Sequence, residues 1–282
     1  MLWLMMVLTL APHRIVSTAP SITEMLFALG AGDQVAGVTT YCIYPEAAKT
    51  RPKIGGFQNP NLEAILALRP DLVFMTRNQS EIARKLRQGG VNVVELEHEN
   101  RSSIYGSIQT IANEIGLPER GRALIASIER ELREAAYTPE AKTRKPAVLF
   151  IVGRTPGSVT DLVVVGRGSY LNELIELAGG LNVAADAIVP YPRFSFEEVI
   201  HRNPDVIIDM GHSGMETEAQ KRTVYQLWRQ YSFLRAVERD AVFPVSADYF
   251  ITPGPRIGQA VRDIRKMIWS SRSDSLRGGN RR

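Results

Sequence analysis

Two distant stretches of this chain are copies of one pattern. Asn61-Leu-Glu-Ala-Ile-Leu-Ala-Leu-Arg-Pro-Asp-Leu-Val-Phe74 aligns without a gap to Ser195-Phe-Glu-Glu-Val-Ile-His-Arg-Asn-Pro-Asp-Val-Ile-Ile208. In each, a polar residue suited to capping a helix precedes a Glu in the first turn, an amphipathic helix, Pro-Asp and an apolar strand. Glu63 thus matches Glu197, Pro70 matches Pro204, and Asp71 matches Asp205. A weaker pair has the same sense: Thr23-Glu-Met-Leu-Phe-Ala-Leu-Gly30 resembles Asn172-Glu-Leu-Ile-Glu-Leu-Ala-Gly179. A chain that repeats a helix–strand unit in each half is expected to build two related lobes.

Short β-branched runs alternate with longer helical patterns. Strands are expected at Arg14–Ser17, Gln34–Val38, Asp71–Met75 and Val91–Leu96, then at Ala147–Val152, Asp205–Asp209 and Ala241–Pro244. Helices fall between them, such as Ser21–Leu29 and Glu81–Gln88. That alternation predicts an α/β fold: two similar lobes with mainly parallel sheets. From Pro118 to Tyr137 one long pattern rich in Ala, Glu, Arg and Leu reads as a helix, broken by Thr138-Pro-Glu-Ala-Lys-Thr-Arg-Lys-Pro146. About 20 helical residues span about 30 Å, enough for a stiff connection. The expected division is an apolar segment 1–13, an N-terminal lobe 14–117, a linker helix 118–140, a C-terminal lobe 141–270 and a disordered tail 271–282. Facing lobes of this class place their strand-end loops around a ligand cleft.

With 282 residues there is room for two such lobes. The net charge of +4 is concentrated in the last twelve residues, whose four Arg and one Asp leave the body nearly neutral. That leaves no basic stripe for a nucleic acid to follow. Cys42 is the single cysteine, so no internal disulfide or cysteine-based zinc cluster can form. Met1–Ala11 is apolar but too short to span a bilayer and lacks the basic start of a signal peptide. It reads as a signal remnant or a truncated start, with a first strand or buried helix as the alternative.

Several segments resemble, in order, the helical-backbone solute-binding proteins of cobalamin, haem and siderophore importers. The resemblance is carried by Arg14-Ile-Val-Ser-Thr-Ala-Pro-Ser-Ile-Thr-Glu-Met-Leu-Phe-Ala-Leu-Gly30, Thr40-Tyr-Cys-Ile-Tyr-Pro45, Gly55-Gly-Phe-Gln-Asn-Pro-Asn-Leu-Glu63 and Leu68-Arg-Pro-Asp-Leu-Val73. Val189-Pro-Tyr-Pro-Arg-Phe-Ser-Phe-Glu197, Ser246-Ala-Asp-Tyr-Phe250 and Pro255-Arg-Ile257 continue it. Within the family the cobalamin-binding branch is the most similar; the haem branch typically has Gly-Gly where this chain has Ala19-Pro20. The resemblance implies two lobes joined by one long helix, and capture of a corrinoid for an ABC importer, with no cofactor beyond the transported ligand. The implied partner is the membrane permease of that importer, the implied state a monomer, and the implied place the periplasm or another exported location, with membrane association possible. A ferric siderophore or haem is the alternative ligand, and a cytosolic corrinoid-handling protein or an enzyme a more remote one.

The resemblance also nominates residues. A corrinoid is a broad apolar ring edged with amides, so its site needs aromatic faces and a few polar groups. Tyr41 and Tyr191 match ligand-contacting aromatics, and Phe57 stands where the family often has Trp. The alternative reading of each is an ordinary half-buried loop aromatic. Asp248 and Tyr249 lie on another loop similar to a ligand-facing one; a carboxylate there could accept from ring amides or simply cap a turn. The cobalamin branch carries an Arg shortly after this Asp, where this chain has Thr252, and Arg256 is the nearby substitute. Glu63 and Glu197 match the acidic residues that pair with permease Arg, a geometry suited to a two-fold partner. A first-turn Glu also suits the helix dipole. His98, His201 and His212 have no metal-ligand spacing: His98 sits among acidic residues at an expected solvated edge, His201 on the repeat helix and His212 on a loop. Cys42 reads as a buried thiol. No nucleophile elbow or phosphate-cradling loop is present, and Gly166-Arg-Gly168 is too short for a dinucleotide fingerprint.

Overall fold

A computed structural model describes residues 14–138, 140, 143–211 and 217–277, with side chains described as far as Trp269. The apolar segment 1–13 and His212 lie outside the described residues. The chain divides into two compact units. Unit 1 runs through His98 and includes Ser102–Ser127, and unit 2 comprises Glu99–Arg101 and everything from Ile128 onward.

Unit 1 holds β1 (Ile15–Ser17), α1 (Pro20–Ala28), β2 (Val35–Val38), α2 (Glu46–Lys49), α3 (Leu62–Ala67), β3 (Leu72–Thr76), α4 (Ser80–Gln88) and β4 (Asn92–Leu96). Most of α5 (Arg101–Glu114) and the start of α6 (Pro118–Ala135) complete it. Its sheet has the order β2-β1-β3-β4, parallel throughout. Unit 2 continues with β5 (Ala147–Gly153), β6 (Leu162–Val164), α7 (Tyr170–Leu177), β7 (Leu181–Asn182), β8 (Arg193–Phe194), α8 (Phe196–Arg202) and β9 (Val206–Asp209). Then come α9 (Glu218–Arg229), α10 (Arg235–Glu238), β10 (Val242–Pro244) and α11 (Ile257–Arg277). The main path of its sheet is β10-β9-β5-β6-β8, and β7 pairs parallel with β5. The fold is therefore α/β as expected, with a parallel sheet in unit 1 and a mixed sheet in unit 2, where β6 and β8 add antiparallel pairings.

The sequence repeat is a structural repeat. The parallel strands β7-β5-β9-β10 of unit 2 reproduce β2-β1-β3-β4 of unit 1, and the β6–β8 pair is an addition. Helices α3 and α8 are capped alike: Asn61 accepts from the Ala64 amide at 2.9 Å, and Ser195 from the Glu198 amide at 3.3 Å. Both repeats then turn through a left-handed residue at matching positions, Arg69 (φ 46°) and Asn203 (φ 39°). The matched aspartates perform one task. Asp71 accepts from the amide of Arg14 at 3.0 Å, just before β1, and Asp205 from that of Ala147 at 2.9 Å, the first residue of β5. Helices α1 and α7 end in left-handed glycines, Gly30 (φ 79°) and Gly179 (φ 82°). At Gly179 a Cβ would stand 2.8 Å from the Tyr137 ring and 3.0 Å from its carbonyl oxygen.

Each end of α6 is packed on its own unit. Arg120 donates to the Leu29 carbonyl at 3.1 Å within unit 1. Glu131 lies against Gly258 of α11 and 3.6 Å from Arg262 within unit 2. The helix stops at Ala135, short of the expected 140. The tail expected to be without structure from residue 271 begins instead as the last turns of α11, which continues to Arg277. No helix among the described residues is long and apolar enough to cross a membrane.

Candidate functional site

In unit 1, the candidate residues cluster at the carboxyl ends of β1, β2 and β3, where open α/β sheets bind ligands. Tyr41 follows β2 and is 62% exposed. Its backbone is held to the next loop by the Thr40 amide, which donates to the Gly55 carbonyl at 2.9 Å. Gly55 (φ 96°) and Gly56 carry that loop past the tyrosine; a Cβ at Gly56 would meet the Tyr41 ring at 3.8 Å. Phe57 comes next and is half-buried. Its carbonyl accepts from the side-chain amide of Gln79, whose oxygen accepts from the Thr18 hydroxyl at 2.5 Å and the Thr76 amide at 3.4 Å. One buried glutamine thereby ties the Phe57 loop to the ends of β1 and β3. Sequence reasoning missed Gln79; the signal available was a capping-box Gln three residues after Thr76. Cys42 is fully buried, its sulfur 3.1 Å from the hydroxyls of both Thr23 and Thr39, and it presents nothing to a ligand.

In unit 2, Tyr191 lies in an exposed apolar loop with Ile188 (97% exposed) and Val189. The loop runs so close to Gly166 that a Cβ there would stand 2.4 Å from the Val189 carbonyl oxygen. The Gly166-Arg-Gly168 segment thus serves a close backbone approach, closed by the Gly166 amide donating to the Pro190 carbonyl at 2.8 Å. The Tyr191 ring is 43% exposed, yet its phenol is tucked in beside Ser169; burial pushes it up to about 12, against a smaller opposing effect of the Ser169 hydrogen bond. It stays a neutral donor across the physiological range.

Asp248 opens a short turn after β10, and both its oxygens receive Arg256, at 3.0 and 2.8 Å. Arg256 is therefore the nearby cation at this loop, while Thr252 is buried. The pairing occupies acceptor positions on Asp248 that the sequence reading offered to ligand amides. Arg256 also lies 5.6 Å from the Tyr249 ring centroid, and the Tyr249 hydroxyl donates to Asp263 at 2.5 Å. Burial and that carboxylate raise the Tyr249 phenol well above its ordinary value.

Glu63 and Glu197 are both exposed, each the second residue of its helix. The Ser195 hydroxyl, and then its own backbone amide, hold Glu197 below the usual carboxylate range. His201 is exposed on α8. His98 is not a solvated edge: its Nε2 is buried without a hydrogen-bond partner, and burial lowers the ring to about 4. Among the described residues no group of three His, Cys, Asp or Glu is placed to hold a metal ion.

A family model described as "Periplasmic binding protein" matches residues 15–248. The vitamin B12-binding protein of Vibrio cholerae serotype O1 is 29% identical over 255 residues, covering 89% of this chain and 87% of the relative. An ABC transporter substrate-binding lipoprotein of Bacillus subtilis, YvrC, is 28% identical over 265 residues, covering 92% and 80%. Among solved structures, the periplasmic haem-binding protein RhuT from Roseiflexus sp. RS-1 in apo form superposes with a TM-score of 0.77 at 30% identity, covering 92% of this chain and 98% of that one. The periplasmic vitamin B12-binding protein BtuF of Vibrio cholerae gives 0.75 at 27% identity, covering 93% and 98%. The repeated α/β units, the ordered motifs and a family match over most of the chain lead to one conclusion: this chain belongs to the periplasmic binding protein family.

Proposed function

We propose that this chain is the solute-binding component of an ABC importer that captures a cobalamin-type corrinoid and delivers it to a membrane permease without chemical change. The observation that carries the reading is the likeness to a vitamin B12-binding protein along 89% of the chain. Exposed Tyr41 and Tyr191, with half-buried Phe57, offer the aromatic faces an extended macrocycle requires. Glu63 and Glu197 provide one exposed carboxylate per unit at matched positions, suited to a permease that presents two equivalent cations. The family and the lipoprotein relative support an exported protein working outside the cytoplasmic membrane.

A haem ligand is the second reading, favoured by the 30% identity to a haem-binding protein. Calorimetric titration of the purified protein with cyanocobalamin, haemin and a ferric siderophore decides between them. One-to-one binding of cyanocobalamin alone is expected. Binding of haemin or the ferric chelate without cyanocobalamin would keep the transport role and overturn the ligand.

A further inference from the structure

At the carboxyl end of the unit 2 sheet lies a charged cluster that none of the candidate residues above includes. Arg154 directly follows Gly153, the last residue of β5, and its side chain is 3% exposed. Its Nε donates to both oxygens of Asp209, at 3.3 and 3.0 Å, and Asp209 is the last residue of β9 and fully buried. The indole of Trp228, on α9, donates to the same carboxylate at 2.6 Å. Backbone bonds fix the frame: the Met210 amide donates to Ile151 and the Val245 amide to Asp209, both at 2.9 Å. Such a cluster is rigid, and the ion pair is electrically balanced.

The guanidinium is not used up. It has five N–H donors. Nε–H serves Asp209, and Nη1 donates to the carbonyls of Thr155 and Ser158 at 3.3 and 3.0 Å. Nη2 has no acceptor among the described residues. An N–H arm with no protein acceptor among the described residues is open to an oxygen acceptor on a bound solute. The arm sits at the strand edge where α/β folds receive ligands, and β10 ends on that edge and leads into Asp248 and Tyr249.

We propose that Arg154 is a ligand-reading residue whose free Nη2 arm donates to an oxygen acceptor on the bound solute, with Asp209 and Trp228 holding it in place. Because the Arg154–Asp209 pair is neutral overall, the acceptor need not carry a full charge. On a corrinoid two groups offer this chemistry: the carbonyls of the peripheral amides and the phosphodiester of the nucleotide tail. The inference rests on the ligand reading above only for these two names; the geometry asks for an oxygen acceptor.

The test is calorimetric titration of the unaltered protein, R154K and R154M/D209N with cyanocobalamin and with dicyanocobinamide, which lacks the phosphodiester and nucleotide. Thermal unfolding of each variant checks the fold. The double variant removes both charges, so that no lone carboxylate is left buried. Its affinity for cyanocobalamin should fall about 10- to 100-fold, the loss of charge-assisted hydrogen bonds to a ligand. An equal fall for dicyanocobinamide assigns the acceptor to the ring amides, and an unchanged cobinamide affinity assigns it to the phosphodiester. R154K keeps a cation beside Asp209 but loses the second arm, and should weaken cyanocobalamin comparably. A folded double variant, or R154K, that binds cyanocobalamin within about twofold of the unaltered protein overturns the proposal. W228F removes only a support of Asp209; if it weakens binding as much as the double variant, the cluster is scaffold and the proposal also falls. Should the unaltered protein bind neither corrinoid, the corrinoid reading fails first, and the same variants are scored with haemin, whose propionates present the same oxygen chemistry.

Discussion

Replacing Asp205 by Ala should destabilise unit 2 by about 3 kcal/mol, while Asp71→Ala, at the matching position of unit 1, should cost only about 1 kcal/mol. Both carboxylates accept the amide that leads into a central strand. They differ in setting. Asp205 is 4% exposed and also receives Arg144 at 3.0 Å and Arg239 at 2.8 Å, with Arg235 at 3.4 Å. Asp71 is exposed. A charge-assisted bond to the buried Ala147 amide contributes about 1.5–3 kcal/mol. Arg144 and Arg239 are 61% and 49% exposed, so solvent screening holds each to at most about 0.5 kcal/mol. At Asp71 the bond to Arg14 competes with water throughout. Urea unfolding is the assay, because Trp228 and Trp269 both lie in unit 2 and their fluorescence reports Asp205→Ala directly. Far-ultraviolet circular dichroism covers both variants. A midpoint shift of about 1–2 M is expected for Asp205→Ala. Equal losses for the two variants, or a loss below about 1 kcal/mol at Asp205, would refute the idea that burial separates two otherwise equivalent clamps.

Four further outcomes are expected. Tyr41→Ala and Tyr191→Ala should each weaken cyanocobalamin binding by about 1–2 kcal/mol in calorimetry, with little change in thermal stability because both rings are substantially exposed. Glu63→Ala with Glu197→Ala should leave the calorimetric affinity unchanged while lowering uptake into cells or permease-containing vesicles; loss of ligand binding would contradict the docking role. His98 is held neutral, with its ring lowered to about 4, so the stability it contributes is complete above its unfolded value near 6.5 and is lost as pH falls towards 4. His98→Gln should flatten that dependence, worth about 3 kcal/mol, in unfolding experiments run between those pH values. Gly179→Ala should destabilise more than Gly116→Ala: both have positive φ, but a Cβ at 179 collides with Tyr137 and one at 116 meets nothing within 4 Å.

The parts of the fold readable in sequence were those with strong local grammar. Pro-Asp followed by β-branched residues placed β3 and β9 to within a residue, and the left-handed turns at Arg69 and Asn203 explain why that grammar recurs. Strands β7 and β8 escaped because two residues each, Leu181–Asn182 and Arg193–Phe194, cannot show a periodicity. The aromatic candidates were found through motif resemblance, since an exposed loop tyrosine has no periodic signature. Asp248 was left between a ligand acceptor and a turn cap; its pairing with Arg256, eight residues on and just before α11, needed the fold to show it. Arg154 was invisible for a related reason: a loop arginine reads as solvated until a carboxylate 55 positions away is folded over it.

The β6–β8 addition has a consequence for how unit 2 meets its surroundings. A free sheet edge is a template on which another chain can grow a strand. Here the rim beyond β6 is only Arg193–Phe194, preceded by Pro190 and Pro192, whose rings offer no amide to a newcomer. The opposite rim, β10, is three residues long and closes on Pro244. The β8 and β10 borders are thus cut short and proline-tipped, and β7, off the main path on β5, is only two residues long, so each rim of this sheet offers another chain little strand to extend.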